Sequence, residues 1–248
     1  MKKEAYFFGM LLLLTLILVS CPNPAGGGGL KASIGDTLVL SGQVYTQEID
    51  LAALLTDPDN ILVIKPFNAS LSIDDDGLGG SGSITNGQLN YTIGTPGVLG
   101  PINLVDINDE GVYTNFSVSD PAAQGAFCVL EISGSSEYYN LLKMLTKITN
   151  MDINPMSMKA ELSFSATTVM YVYVDRDVVV SAEGSTIKDN DAGMDIEITA
   201  RDFSLKLKEG WNVIHAVSQQ KMDLIQSKME MNLRLSAGEP SGLRWILL

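Results

Sequence analysis

Asn86-Gly87-Gln88-Leu89-Asn90-Tyr91-Thr92-Ile93 decides the fold class of this 248-residue chain. Asn-Gly takes positive φ at low cost, which suits a two-residue hairpin turn. Behind it Leu89, Tyr91 and Ile93 alternate with Asn90 and Thr92. Period-two alternation is the mark of a strand with one buried face.

The same pattern extends in both directions. Upstream, Leu38, Leu40 and Val44 share one face of residues 36–45, and Ala69, Leu71 and Ile73 share another. Downstream come Val112, Thr114, Phe116 and Val118, then Ala160, Leu162 and Phe164, then residues 169–174. Met194, Ile196, Ile198 and Ala200 follow, with Phe203, Leu205 and Leu207, residues 211–217, and a late strand carrying Ile225, Met229, Met231, Leu233 and Leu235. Residues 245–248 are placed to close the sheet. Asp76-Gly77, Glu110-Gly111, Glu183-Gly184 and Glu209-Gly210 supply further turns. Many short strands at this spacing predict an all-β fold of antiparallel β-sandwich architecture. Two sandwich-like units are expected, residues 30–134 and residues 135–248, the alternative being one larger sandwich with insertions. Two segments depart from period two. Asp50-Leu51-Ala52-Ala53-Leu54-Leu55 predicts a short helix capped by Asp50, and Tyr138, Leu141, Leu142, Leu145 and Ile148 follow helical spacing within residues 136–149.

The first twenty-one residues have a different character. Lys2 and Lys3 precede fifteen uncharged residues, 5–19. That is the length of a signal-peptide apolar region and short of the roughly 20 residues that span a bilayer. Leu18-Val19-Ser20-Cys21 then resembles the bacterial lipobox. The resemblance implies cleavage after residue 20, lipid on the Cys21 thiol and acylation of the new amino group. Two or three acyl chains make a stable anchor where one is marginal. Pro22 stands where Asp would resemble an inner-membrane retention signal, so the outer membrane is the expected location. Asn68-Ala69-Ser70, Asn90-Tyr91-Thr92 and Asn115-Phe116-Ser117 are glycosylation sequons that a eukaryotic secreted protein would use, but such triplets recur by chance and the lipobox outweighs them. Pro22-Asn23-Pro24-Ala25-Gly26-Gly27-Gly28-Gly29 reads as a tether, residues 21–29, between lipid and body.

The formal net charge is −13, and removal of Lys2, Lys3 and Glu4 takes it to −14. Nucleic acid is excluded as a partner, because its phosphates need Lys and Arg. From Cys21 to Gly134 there are 13 acidic residues against Lys31 and Lys65; after Gly134 there are 15 against 12. The imbalance is first a matter of solubility and second a pointer to a cation or basic partner on the first half.

Candidate chemistry is sparse. With Cys21 lipidated, Cys128 is the remaining thiol, and its apolar run Ala126-Phe127-Cys128-Val129-Leu130 predicts a small buried hydrophobe. His215 is the one histidine and shares a strand face with Trp211, Val213 and Val217, which predicts a packed residue. No nucleophile elbow, paired Cys-x-x-Cys or His-Glu-x-x-His occurs. Paired carboxylates of a glycosidase need two acids about 5–10 Å apart, and no pair stands out in the sequence. Three acidic turns resemble parts of a calcium loop: residues 72–77, 106–111 and 189–193. Plain hairpin turns are the first reading; calcium at Asp74, Asp76, Asp106 and Asp109 is the alternative. Met222, Met229 and Met231 are expected as core. The glycine-rich residues 77–82 lack a phosphate loop's Lys-Ser/Thr and read as a flexible hairpin tip, with residues 74–81 and 106–111 as a candidate recognition surface. Leu207-Lys208-Glu209-Gly210-Trp211-Asn212-Val213 resembles a strand–turn–strand phrase of β-rich bacterial lipoproteins. The expectation is a lipid-anchored, non-catalytic binding or structural protein of the cell envelope, meeting the membrane through its lipid and a protein or carbohydrate ligand through its loops. The alternatives are an envelope assembly or adhesion component and a carbohydrate hydrolase.

Overall fold

The computed structural model describes residues 33–49, 62–74, 77–102, 111–128, 130–133, 138–154, 159–191, 193–223 and 225–247. These residues form strands and turns, with no helix among them. The strands of the first half are β1 (Ser33–Gly35), β2 (Leu38–Ile49), β3 (Leu62–Pro66), β4 (Leu71–Asp74), β5 (Ser81–Thr85), β6 (Gln88–Ile93), β7 (Gly100–Pro101), β8 (Tyr113–Val118), β9 (Gln124–Cys128) and β10 (Leu130–Ser133). Those of the second are β11 (Tyr138–Asn154), β12 (Lys159–Val174), β13 (Val178–Gly184), β14 (Thr186–Asp191), β15 (Met194–Ala200), β16 (Phe203–Leu207), β17 (Gly210–Asp223), β18 (Lys228–Ala237) and β19 (Arg244–Leu247).

Pairing is antiparallel except at β15–β18 and β19–β2. Strands β10, β4, β5, β6, β2, β19 and β11 pair in that order, and β11 pairs again with β10, so this part of the sheet returns on itself. From β11 the sheet continues through β12, β17, β18 and β15 to β14. At Val169 β12 parts from β11 and takes β9 as its neighbour. A separate three-stranded sheet, β16-β13-β8, completes the structure.

Strands β12 and β17 carry apolar side chains on both faces. Val172, Val174 and Ile214 join one core with Val180, Leu205, Ile198 and Met231. Val169, Tyr171, Tyr173, Trp211 and Val213 join the other with Leu38, Leu40, Ile84, Leu89 and Trp245. The pleat explains the division, since successive side chains point to opposite sides. The two cores are not the two halves of the chain. Ile102, Val112 and Tyr113 enter the first core from before Gly134, and Trp211 and Trp245 enter the second from after it.

Asn86 and Gly87 have φ of 49° and 74° and close the β5–β6 hairpin, with Thr85 opposite Gln88. Leu89, Tyr91 and Ile93 are buried, as their alternation predicts. Glu209-Gly210 also turns the chain. Buried Asn212 clamps it, accepting from the Lys208 amide at 3.0 Å and donating to the carbonyls of Lys208 and Gly210.

Several expectations are corrected. Residues 138–149 are strand β11, not a helix. The ladder from Lys143 to Asn154 along β12, with β10 and β19 over residues 138–144, satisfies backbone groups that a helix would have satisfied internally. The helix expected from Asp50 lies outside the described residues. Glu183-Gly184 is the end of β13, where Gly184 donates to the Asp202 carboxylate, rather than a turn. Ile225 lies in the turn before β18 and is exposed. The glycine-rich tip folds inward: Leu78 is buried in the second core, and a Cβ on Gly80 would lie 1.8 Å from the Tyr91 hydroxyl oxygen.

Candidate functional site

The polar side chains best placed for chemistry meet where β9, β12 and β17 lie side by side. Tyr171 stands opposite Cys128 on one side and Val213 on the other. His215, two residues beyond Val213, projects to the same face, because strand side chains repeat every second residue. Glu239, in the connection from β18 to β19, completes the group: the Tyr171 hydroxyl donates to its Oε2 at 3.2 Å. The Tyr171 ring stacks on Trp245 with centroids 6.4 Å apart.

Burial controls the electrostatics. It raises the Tyr171 pKa far above that of an ordinary phenol, and the nearby Glu239 charge and the hydrogen bond to it act in the same sense. Burial lowers the His215 pKa, assisted by Arg234, while the bond to the Gly238 carbonyl opposes the fall. The imidazole is therefore neutral at pH 7. Its Nδ1 lies 2.7 Å from the Gly238 carbonyl oxygen, so Nδ1 carries the proton. A general base of the Ser-His-Asp kind is oriented by a carboxylate at this nitrogen; here a backbone carbonyl takes that place. Cys128 is a half-buried thiol in the same row.

These contacts act together as a latch. Gly238 donates its amide to the Val213 carbonyl at 2.9 Å and accepts from His215. Glu239 accepts from Tyr171, and Trp245 donates through Nε1 to the Ser41 carbonyl at 3.0 Å. The segment is thereby tied to the sheet at both ends, and β19 is delivered between β11 and β2.

Of the residues singled out from sequence, Cys21, Asp76, Asp106 and Asp109 lie outside the described residues. Asp74 is the last residue of β4, opposite Glu131. In the third acidic turn the side chains serve the hairpin: the Asn190 amide nitrogen bonds the Asp189 carboxylate at 2.8 Å, and the Asn190 side chain donates to Asp195 at 2.6 Å. Among the described residues no group of three or more His, Cys, Asp or Glu is arranged to hold a metal ion. Met229 and Met231 are buried in the first core and Met222 packs against it. His215 is buried beside Val213, as its strand face predicts.

Sequence reasoning passed over Tyr171 and Glu239, which are 68 residues apart and share no local pattern. It also passed over Ser218 and Gln220. Both are buried, and the Ser218 hydroxyl and both polar atoms of the Gln220 amide are without a hydrogen-bond partner. They fall on the face of β17 that carries Ile214 and Met222, so polar residues at apolar period positions were the available signal. Compared with known proteins, the chain matches no family model, no curated protein and no solved structure.

Proposed function

We propose that this chain is a lipid-anchored, non-catalytic binding or structural protein of the bacterial cell envelope, located at the outer membrane. The observation that carries the reading is Leu18-Val19-Ser20-Cys21 behind an uncharged run of fifteen residues. A thiol at that position becomes the membrane anchor, and the β-built body behind it becomes the working part. The latch supports a structural use of the polar groups: the imidazole of His215 and the phenol of Tyr171 both hold the Gly238–Glu239 backbone and side chain. The outer face of β14, β15 and β18, continued by residues 217–223 of β17, is the broad polar surface left for a ligand. It carries the ion pairs Lys188–Glu197 at 2.9 Å and Lys228–Glu230 at 2.6 Å, and at its margin Lys221 of β17 pairs with Glu161 of β12 at 3.4 Å.

A second reading, an envelope assembly component, is favoured by β14, which ends the main sheet among the described residues. Lys188 and Asp189 on that edge oppose casual strand addition, so a partner there would have to neutralise them.

Fractionation of cells making the native chain or Cys21→Ala tests the proposal. The native chain is expected in the membrane fraction and labelled by a fed fatty acid, and the variant is expected unlabelled. Equal membrane retention and labelling of the two would remove the proposal.

A further inference from the structure

We propose that the end of the molecule bearing Ile34, Val39 and Val98 rests on the surface of the lipid bilayer; this rests on the reading that Cys21 is the anchor. Strand β17 serves as the ruler. Its 14 residues run about 43 Å at the usual rise of a strand. The first of them define one end of the molecule. Trp211 and Asn212 pair with Gly35 and Ser33 of β1, which brackets Ile34. Trp211 Nε1 donates to the Gly94 carbonyl at 2.7 Å. Gly210 lies in one row with Val174, Gly125 and Gly100 across four strands. Val98 is thus held between two residues tied to this end. Val39 follows Leu38, which stands opposite Ile93, the residue before Gly94.

Ile34, Val39 and Val98 are 43%, 63% and 70% exposed. Among the residues whose burial is described, the other large apolar side chain with comparable exposure is Ile225, at 46%, and it lies just past Asp223 at the opposite end of β17. Single exposed apolar residues are ordinary; three at one end, beside the point where the chain arrives from its anchor, are not. Twelve peptide units separate Cys21 from Ser33, at most about 43 Å of extended chain and about 20 Å for a glycine-rich tether. The β1 end is therefore held near the bilayer, where apolar side chains partition into the boundary between headgroups and acyl chains. Asp36 and Glu209 are exposed at the same end, and a negative body is repelled by anionic lipid. The occupant of this face is accordingly a zwitterionic lipid surface.

The test uses the full lipidated chain in phosphatidylcholine vesicles whose acyl chains are brominated near the glycerol end. Trp211 and Trp245 are buried, so the native protein supplies a baseline little affected by lipid contact. Val98→Trp and Ile225→Trp each add one exposed reporter. The expected result is that all three proteins float with the vesicles and that Val98→Trp loses several-fold more emission than Ile225→Trp. Flotation with equal quenching of the two reporters overturns the docking while leaving the anchor standing. Shielding of Val98→Trp that grows with protein density, without quenching, assigns the face to a second copy and also overturns it. Failure to float removes the anchor, and the docking falls with it.

Discussion

His215 donates its Nδ1 proton to the carbonyl oxygen of Gly238 across 2.7 Å, binding the middle strand of the body to the segment that carries its last strand home. Either form of the ring can donate from Nδ1, so the bond itself favours protonation, but burial outweighs it and keeps the ring neutral.

Stability should consequently depend on pH in a window that belongs to this residue. The unfolded chain binds a proton near pH 6.5, whereas the folded protein resists it because burial lowers the His215 pKa. The unfolded state then holds more protons, so stability is complete above pH 6.5 and falls as the pH drops from there through the folded value. His215 is the sole histidine, and the carboxylates held low by their partners, Asp175, Asp177 and Glu230, act in a more acid range. Urea melts from pH 8 to pH 5 should show the decline, and His215→Gln should flatten it.

Tyr171→Phe removes the hydrogen bond to Glu239 and keeps the ring on Trp245. A loss of about 1.5–3 kcal/mol is expected in chemical denaturation, the range for a hydrogen bond to a charged group. No change in midpoint would mean that Glu239 is equally well served by water.

Gln220→Met should stabilise the protein. The amide is buried beside Met231 and Phe164 in register, with no hydrogen-bond partner, and an apolar side chain of similar shape removes the desolvation cost of about 1–2 kcal/mol. Gln219→Met, at the exposed position next to it, should leave the midpoint within about 0.5 kcal/mol. A fall in stability for Gln220→Met would reveal an ordered water serving the amide.

Gly87→Ala should be among the most damaging single changes. Its φ is +74°, and a Cβ there would lie 1.7 Å from the Phe67 carbonyl oxygen. Backbone strain and overlap together predict a loss of about 3 kcal/mol. Gly97→Ala, which meets nothing within 4 Å, is the matched control and should be nearly silent in a thermal melt.

What was legible in the sequence is what is local. Asn86-Gly87 announces its hairpin, and the alternation of Leu89, Tyr91 and Ile93 announces their burial, because both depend on neighbours in the chain. Tyr138, Leu141, Leu142, Leu145 and Ile148 misled because their spacing fits a helix, while the choice of strand is made by β12, β10 and β19 pairing along both edges. Tertiary pairing outweighs weak local preference. The parallel pairing of Trp245 with Val44 joins residues two hundred positions apart and leaves no periodic trace. The latch was hidden for the same reason: Tyr171, His215 and Glu239 come from two strands and a connection, and only the fold makes them neighbours.

The most direct test of the central claim is the intact mass and N-terminal peptide mass of the protein isolated from its native membrane. The account predicts a mature chain beginning at Cys21, with a diacylglyceryl group on the thiol and an acyl group on the amine. A chain still beginning at Met1, or a Cys21 with a bare thiol, would contradict it.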